Sequence, residues 1–259
     1  MLHLLKIEWL KLKNYKAFWI FLGLYVIGLF SINYISFQFQ TEFQKSGIPI
    51  ELLPYNYPKV YQTSAWISSW LLYFPGMLMI LIISNEYTFK THRQNVIDGA
   101  TRRQFILSKI LVGLILAAVT TLLCFIIALI YGTSFSGSIS FDGIEYIGYC
   151  FVQAMCYLFL AMILAVLLRR SGLALAIFFL YGLIFEQLIG NFIDKKILDS
   201  HGFWYYMPLE ASDVLIPITF AKDIFYKDAP SPIVLLTLSL VYVAVYCFLS
   251  IRKFETDDL

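Results

Sequence analysis

The chain has 259 residues, of which 60% are hydrophobic, 18% aromatic and only 14% charged, and its formal net charge is +2. Water-soluble domains carry about a quarter charged residues, so this composition excludes a soluble globular domain and indicates an integral membrane protein. The small net charge excludes little by itself; the positions of the charges carry the information.

Residues 1–16 form a leader bearing Lys6, Lys11, Lys13 and Lys16. Leu2, Leu5, Trp9 and Leu12 recur at helical spacing, blurred by Leu4, Ile7 and Leu10, which predicts an amphipathic helix lying among lipid headgroups. The apolar run that follows is too long for a signal peptide, whose core spans about 7–15 residues, so it is read as a retained span. Six stretches reach the length of about 20 apolar residues that a spanning helix needs. They are 17–37, 64–84, 110–131, 146–168, 172–190 and 233–251, spans one to six of a single all-α transmembrane domain covering 1–259.

Basic residues orient these spans. With the N-terminus in the cytoplasm, the inner segments hold the leader lysines, Lys90, Arg93, Arg102, Arg103, Arg169, Arg170, Arg252 and Lys253. The outer segments hold Lys45, Lys59, Lys195, Lys196, Lys222 and Lys227, mostly in one long loop that counts little. Both termini are therefore expected to be cytoplasmic. The outer segment 38–63 is rich in Tyr and Pro and reads as irregular. The outer segment 191–232 carries Phe203-Trp204-Tyr205-Tyr206 and an apolar piece between Pro208 and Pro217, which predicts short interfacial helices before span six.

Between spans two and three lies the longest polar, mixed-charge run, residues 85–109. Written as a helix from Tyr87, it places Tyr87, Thr91, Gln94 and Asp98 on one edge with Asn95 beside them, and Phe89 and Val96 on the other. Gly99 is its natural stop. Such a helix can lie flat on the membrane with its polar edge facing the cytosol, where a soluble motor could grip it.

Within the spans, Gly113–Ala117, Ala161–Ala165 and Gly172–Ala176 have the small-residue spacing that lets helices approach closely. Pro75-Gly76 interrupts span two, where proline removes a backbone donor and bends the helix, so that span two can line a cavity. Glu186 is the acid deepest in a span. An intramembrane carboxyl faces protein or water rather than lipid, which makes Glu186, with Gln153, Asn33 and Pro75, a candidate for a substrate path. The competing expectation is a structural hydrogen bond from Glu186 to Gln153 or Asn33.

No phosphate-binding Gly-x-x-x-x-Gly-Lys-Ser/Thr loop occurs; the nearest string, Gly132 to Ile139, lacks the lysine. His3, His92 and His201 are dispersed, and Cys124, Cys150, Cys156 and Cys247 sit in apolar runs without zinc spacing. No catalytic site, metal site, cofactor or nucleic-acid partner is expected, so any energy for transport must come from elsewhere.

The residues resemble the membrane subunit of type-two ATP-binding-cassette (ABC) transporters. Glu8-Trp9-Leu10-Lys11 resembles that family's Glu-x-x-Lys before span one. Glu86, Thr91, Thr101-Arg102 and Lys109 resemble its signature after span two, although Lys90-Thr91 stands where a Gly-Thr pair is common. The resemblance implies a coupling helix docked on a cytosolic ATPase, with ATP and Mg held by that partner. It also implies a second permease copy or paralogue and export across a bacterial inner membrane. The ATPase contact would then be Glu86, Tyr87, Thr91, Gln94, Asn95, Asp98 and Arg102, with Glu86 paired to Arg102 or Arg103. An amphiphilic substrate (peptide, lipid or drug) fits the aromatic-rich spans. The alternatives are a transporter not coupled to ATP and an immunity or assembly protein that binds partners.

Overall fold

A computed structural model describes residues 2–46, 54–91, 101–198, 202–219, 226 and 228–256. Every regular element among them is helical. The leader is the helix Leu2–Lys13, and span one follows after a two-residue break as Lys16–Lys45. Thirty residues at 1.5 Å each make about 45 Å, longer than a hydrocarbon core of about 30 Å. Part of the segment expected to be irregular after residue 37 therefore continues span one.

Span two is a pair of helices, Lys59–Leu71 and Tyr73–Thr88, bent by 41°. The bend has a local cause. Pro75 lacks the N–H that would bond the Leu71 carbonyl, and its ring crowds that carbonyl. The first helix ends at Leu71, the ladder resumes with Gly76 N donating to Leu72 O at 3.0 Å, and Pro75 sits in the first turn of the second helix.

Span three is Arg102–Ser136, span four Glu145–Leu168, span five runs over Ser171–Lys196, and span six is Pro232–Thr256. Five of these helices are each long and apolar enough to cross a membrane, and the bent pair makes a sixth. Span five is α-helical over Ser171–Leu180 and Glu186–Ile193 with π turns at Tyr181–Phe185 and Asp194–Leu198.

Span four is the axis of the bundle. Of its apolar window 78% is buried, against 22% for spans one and six, and it packs against both halves of span two and spans three, five and six. Small residues permit this. A Cβ on Gly113 would meet the Phe159 ring at 3.3 Å, and Ala117, Ala161 and Ala165 are wholly buried. The third pair, Gly172–Ala176, is exposed, and nothing lies within 4 Å of a Cβ on Gly172. Cys124, Cys150 and Cys156 are buried free thiols that pack as small apolar groups.

The segment after span five folds back into the bundle. Phe203–Tyr206 is a 3-10 turn and Glu210–Asp213 a single helical turn. Leu209, Ala211, Ser212 and Val214 to Ile216 are all buried. Asp213 accepts a hydrogen bond from Tyr157, which lies midway along span four. The turn is thus inserted to mid-bundle depth, deeper than the interfacial helices expected.

Candidate functional site

At the end of the bundle that carries both termini, four charged side chains close a buried network. Lys109, 1% exposed and about two turns into span three, has its Nζ 2.6 Å from Glu8 Oε2 and 2.6 Å from Glu86 Oε1. Lys11 donates to the same Glu86 oxygen at 2.9 Å, and Thr91 Oγ1 donates to Glu86 Oε2. Glu8 and Glu86 are 4% and 5% exposed. Buried charges persist only when paired and hydrogen-bonded, so this network ties the leader, the end of span two and the start of span three together. The sequence patterns contain each of its members but match Glu86 to Arg102 or Arg103. Arg102 Nη1 instead donates to the Glu255 carbonyl at the end of span six, at 3.0 Å.

Aromatic rings extend the same junction. Tyr87 meets Phe254 edge-on at 6.3 Å and lies under the Arg169 guanidinium at 5.7 Å, while Phe105 stacks on Phe254 at 4.9 Å. The run after span two does not continue as one helix from Tyr87. Tyr87 belongs to the last turn of the span-two helix, which ends at Thr88; the chain turns at Lys90 with a left-handed φ of 54°, and Thr91 is helical beyond it. This corrects the helix written from Tyr87. Glycine would take such a positive φ without steric cost. Gln94, Asn95 and Asp98 lie outside the described residues, as do Val96 and Gly99. On the far side of that stretch, Thr101 starts span three with a reciprocal cap: its Oγ1 accepts from Gln104 N at 3.2 Å, and Gln104 Oε1 accepts from Thr101 N at 3.0 Å.

The second site is a cavity of about 320 Å³ at the break in span two. Trp66, Ser69 and Trp70 line it from one half of span two and Tyr73 from the other. Gln153 and Tyr157 come from span four, Glu186 from span five, and Glu210 and Asp213 from the inserted turn. Glu186, 3% exposed, accepts from Leu209 N at 2.6 Å and Glu210 N at 3.1 Å through Oε1. It anchors the inserted turn by capping its first N–H groups. Gln153 Nε2 donates to Asp213 Oδ1 at 2.7 Å, Tyr157 OH to Asp213 Oδ2 at 3.0 Å, and Ser69 Oγ to Gln153 Oε1 at 2.9 Å.

Glu186 and Gln153 therefore share one cavity, though Glu186 bonds the turn's backbone rather than Gln153. Pro75 does not line the cavity but causes the break that opens it. Asn33 is elsewhere. It donates to Leu29 O at 2.8 Å, and its Oδ1 accepts from Tyr55 and Ser64, each at 3.2 Å. It is a satisfied structural knot. Glu210 and Asp213 escaped sequence reasoning. The available signal was two acids set among Leu209, Ala211 and Val214 to Ile216 between two prolines.

A protein-family profile described as ABC-2 family transporter protein matches residues 4–186. No curated protein matches the chain. The matched stretch begins in the leader and ends at Glu186, taking in all four members of the buried network and the cavity walls contributed by spans two and four, with Glu186 of span five. With well over half of its length matched, the chain belongs to the ABC-2 transporter family, as an integral membrane component of transport.

Proposed function

We propose that this protein is the permease subunit of an ATP-driven exporter. It would be moved by a separate cytosolic ATPase that grips the segment between spans two and three. The observation that carries this reading is the Glu86–Lys109 pair with its partners Glu8, Lys11 and Thr91. A force applied to the segment beginning at Thr91 acts on Glu86, and through a buried network it acts at once on the leader and on spans two and three. An exposed ion pair, worth about 0–1 kcal/mol, would slip under such a load.

The bend at Leu72 supplies a hinge. Tyr73–Thr88 can tilt with the coupling segment while Lys59–Leu71 stays with its neighbours, and the cavity sits between those halves. Displacement at Thr91 is thereby felt by Trp70 and Tyr73 without any catalytic group in this chain. Nucleotide and Mg would be held by the ATPase, and a second permease copy or paralogue would complete the pathway. The Lys- and Arg-rich end of the bundle, including both termini, would face the cytoplasm of a bacterial cell, following the positive-inside bias. An amphiphile is the substrate class that suits an aromatic cavity within apolar spans.

The test is recovery of a nucleotide-hydrolysing subunit with the tagged chain purified in mild detergent. Thr91→Leu, Gln94→Leu and Asp98→Leu together should abolish that recovery with membrane insertion unchanged. Undiminished recovery would remove the coupling segment from the interface.

A further inference from the structure

We propose that the cavity at the break in span two receives a primary ammonium group, the cationic head of the transported amphiphile. The transport consequence rests on the permease reading above; the binding does not. Three carboxyl groups, Glu186, Glu210 and Asp213, line this cavity, and no Lys, Arg or His among the described residues lines it with them. Two of the three have unused acceptors. Glu186 is 3% exposed, its Oε1 is taken by two N–H groups, and its Oε2 accepts no hydrogen bond from any described residue. The Glu210 carboxylate makes no hydrogen bond or ion pair at all among them.

Carboxylates removed from water without a counter-charge are costly, and an arriving cation offsets that cost. Geometry selects the kind of cation. Among the described residues no three His, Cys, Asp or Glu side chains come close enough to share a metal ion. The acids instead stand around a room of about 320 Å³. Separated acceptors suit a group that donates in several directions, and an alkylammonium has three such donors. Trp66, Trp70 and Tyr73 complete the wall. Their ring faces attract a cation and cover the methylenes that follow it. Asp213, already bonded by Gln153 and Tyr157, adds charge and holds the turn in place.

The experiment is equilibrium dialysis of the purified full chain, in a non-ionic detergent, against radiolabelled benzylammonium, benzyl alcohol and benzoate. Saturable benzylammonium binding is expected. It should be weaker by roughly tenfold or more for the alcohol and for Glu210→Gln, with benzoate unbound. Because the Glu210 side chain has no partner to lose, the variant should melt with the wild type. If it melts lower, Glu210→Asp, which keeps the charge, must retain the binding. Absence of saturable benzylammonium binding to the wild type, equal binding of the alcohol, or undiminished binding by Glu210→Gln overturns the proposal. ATPase recovery is read in parallel. Ammonium binding without a recovered ATPase removes the engine and keeps the cavity site; the converse removes the cavity site alone.

Discussion

Lys109 and Glu8 are separated by 101 positions in the chain and by 2.6 Å in space. Their contact pins the leader to span three about two turns past its start. Glu86, 2.6 Å from the same ammonium, makes the pin a three-way joint. Removing one partner of a buried ion pair leaves the other charge uncompensated, at a cost of about 3–5 kcal/mol. Lys109→Met should therefore lower the thermal unfolding midpoint in detergent sharply. Glu8→Gln, Glu86→Gln and Lys109→Met together should recover most of the loss, because the one charge left behind, Lys11, has a side chain 35% exposed and can be solvated. A single variant as stable as wild type would mean the network is solvated.

Lys90 holds a left-handed backbone, φ 54°, which disfavours any residue with a Cβ by about 1–2 kcal/mol. Lys90→Gly should melt at or slightly above the wild-type temperature, and Lys90→Val clearly below it. A fall in stability for the glycine variant would show that the lysine side chain matters more than its backbone.

Gly76 lies against Phe178, whose ring atoms would stand 2.5 and 2.7 Å from an added Cβ. Phe178 is wholly buried and packed against Tyr73 and Phe179, so it has little room to yield. Gly76→Ala should cost about 1–3 kcal/mol by overpacking, with partial recovery on adding Phe178→Leu. Equal melting of Gly76→Ala and wild type would show that the spans separate freely at this contact.

Glu186→Gln keeps a carbonyl oxygen for the Leu209 and Glu210 N–H groups, whereas Glu186→Ala leaves both buried donors unpaired, each at about 1–3 kcal/mol. The alanine variant should release the 202–217 turn to limited proteolysis. The glutamine variant should stay resistant and lose transport. Matching protease patterns in the two variants would deny the carboxylate its anchoring role.

The spans were legible because a run of about 20 apolar residues has few other uses, and the break in span two was legible because Pro75 acts on its own carbonyl four residues back. Pairings were not. Glu8, Lys11, Glu86 and Lys109 each stood in a recognisable pattern, yet helix spacing relates only neighbours within a few residues. Which cation met Glu86 depended on how the leader folds against span three. The inserted turn was missed for a different reason. Residues 209–216 are too few to cross a membrane, and an apolar piece between two prolines beside an aromatic cluster reads as short interfacial helices. Its burial rests on Glu186, Gln153 and Tyr157, contributed by two other spans.

The central claim is that the segment after Thr91 faces the cytosol and is covered by an ATPase. Asp98→Cys, made in a Cys247→Ala background because Cys124, Cys150 and Cys156 are buried, reports this directly with a membrane-impermeant maleimide. Labelling should occur in inside-out vesicles, fail in right-side-out vesicles, and be suppressed when the ATPase subunit is bound. Labelling from the outer face, or labelling indifferent to the ATPase, would contradict the account.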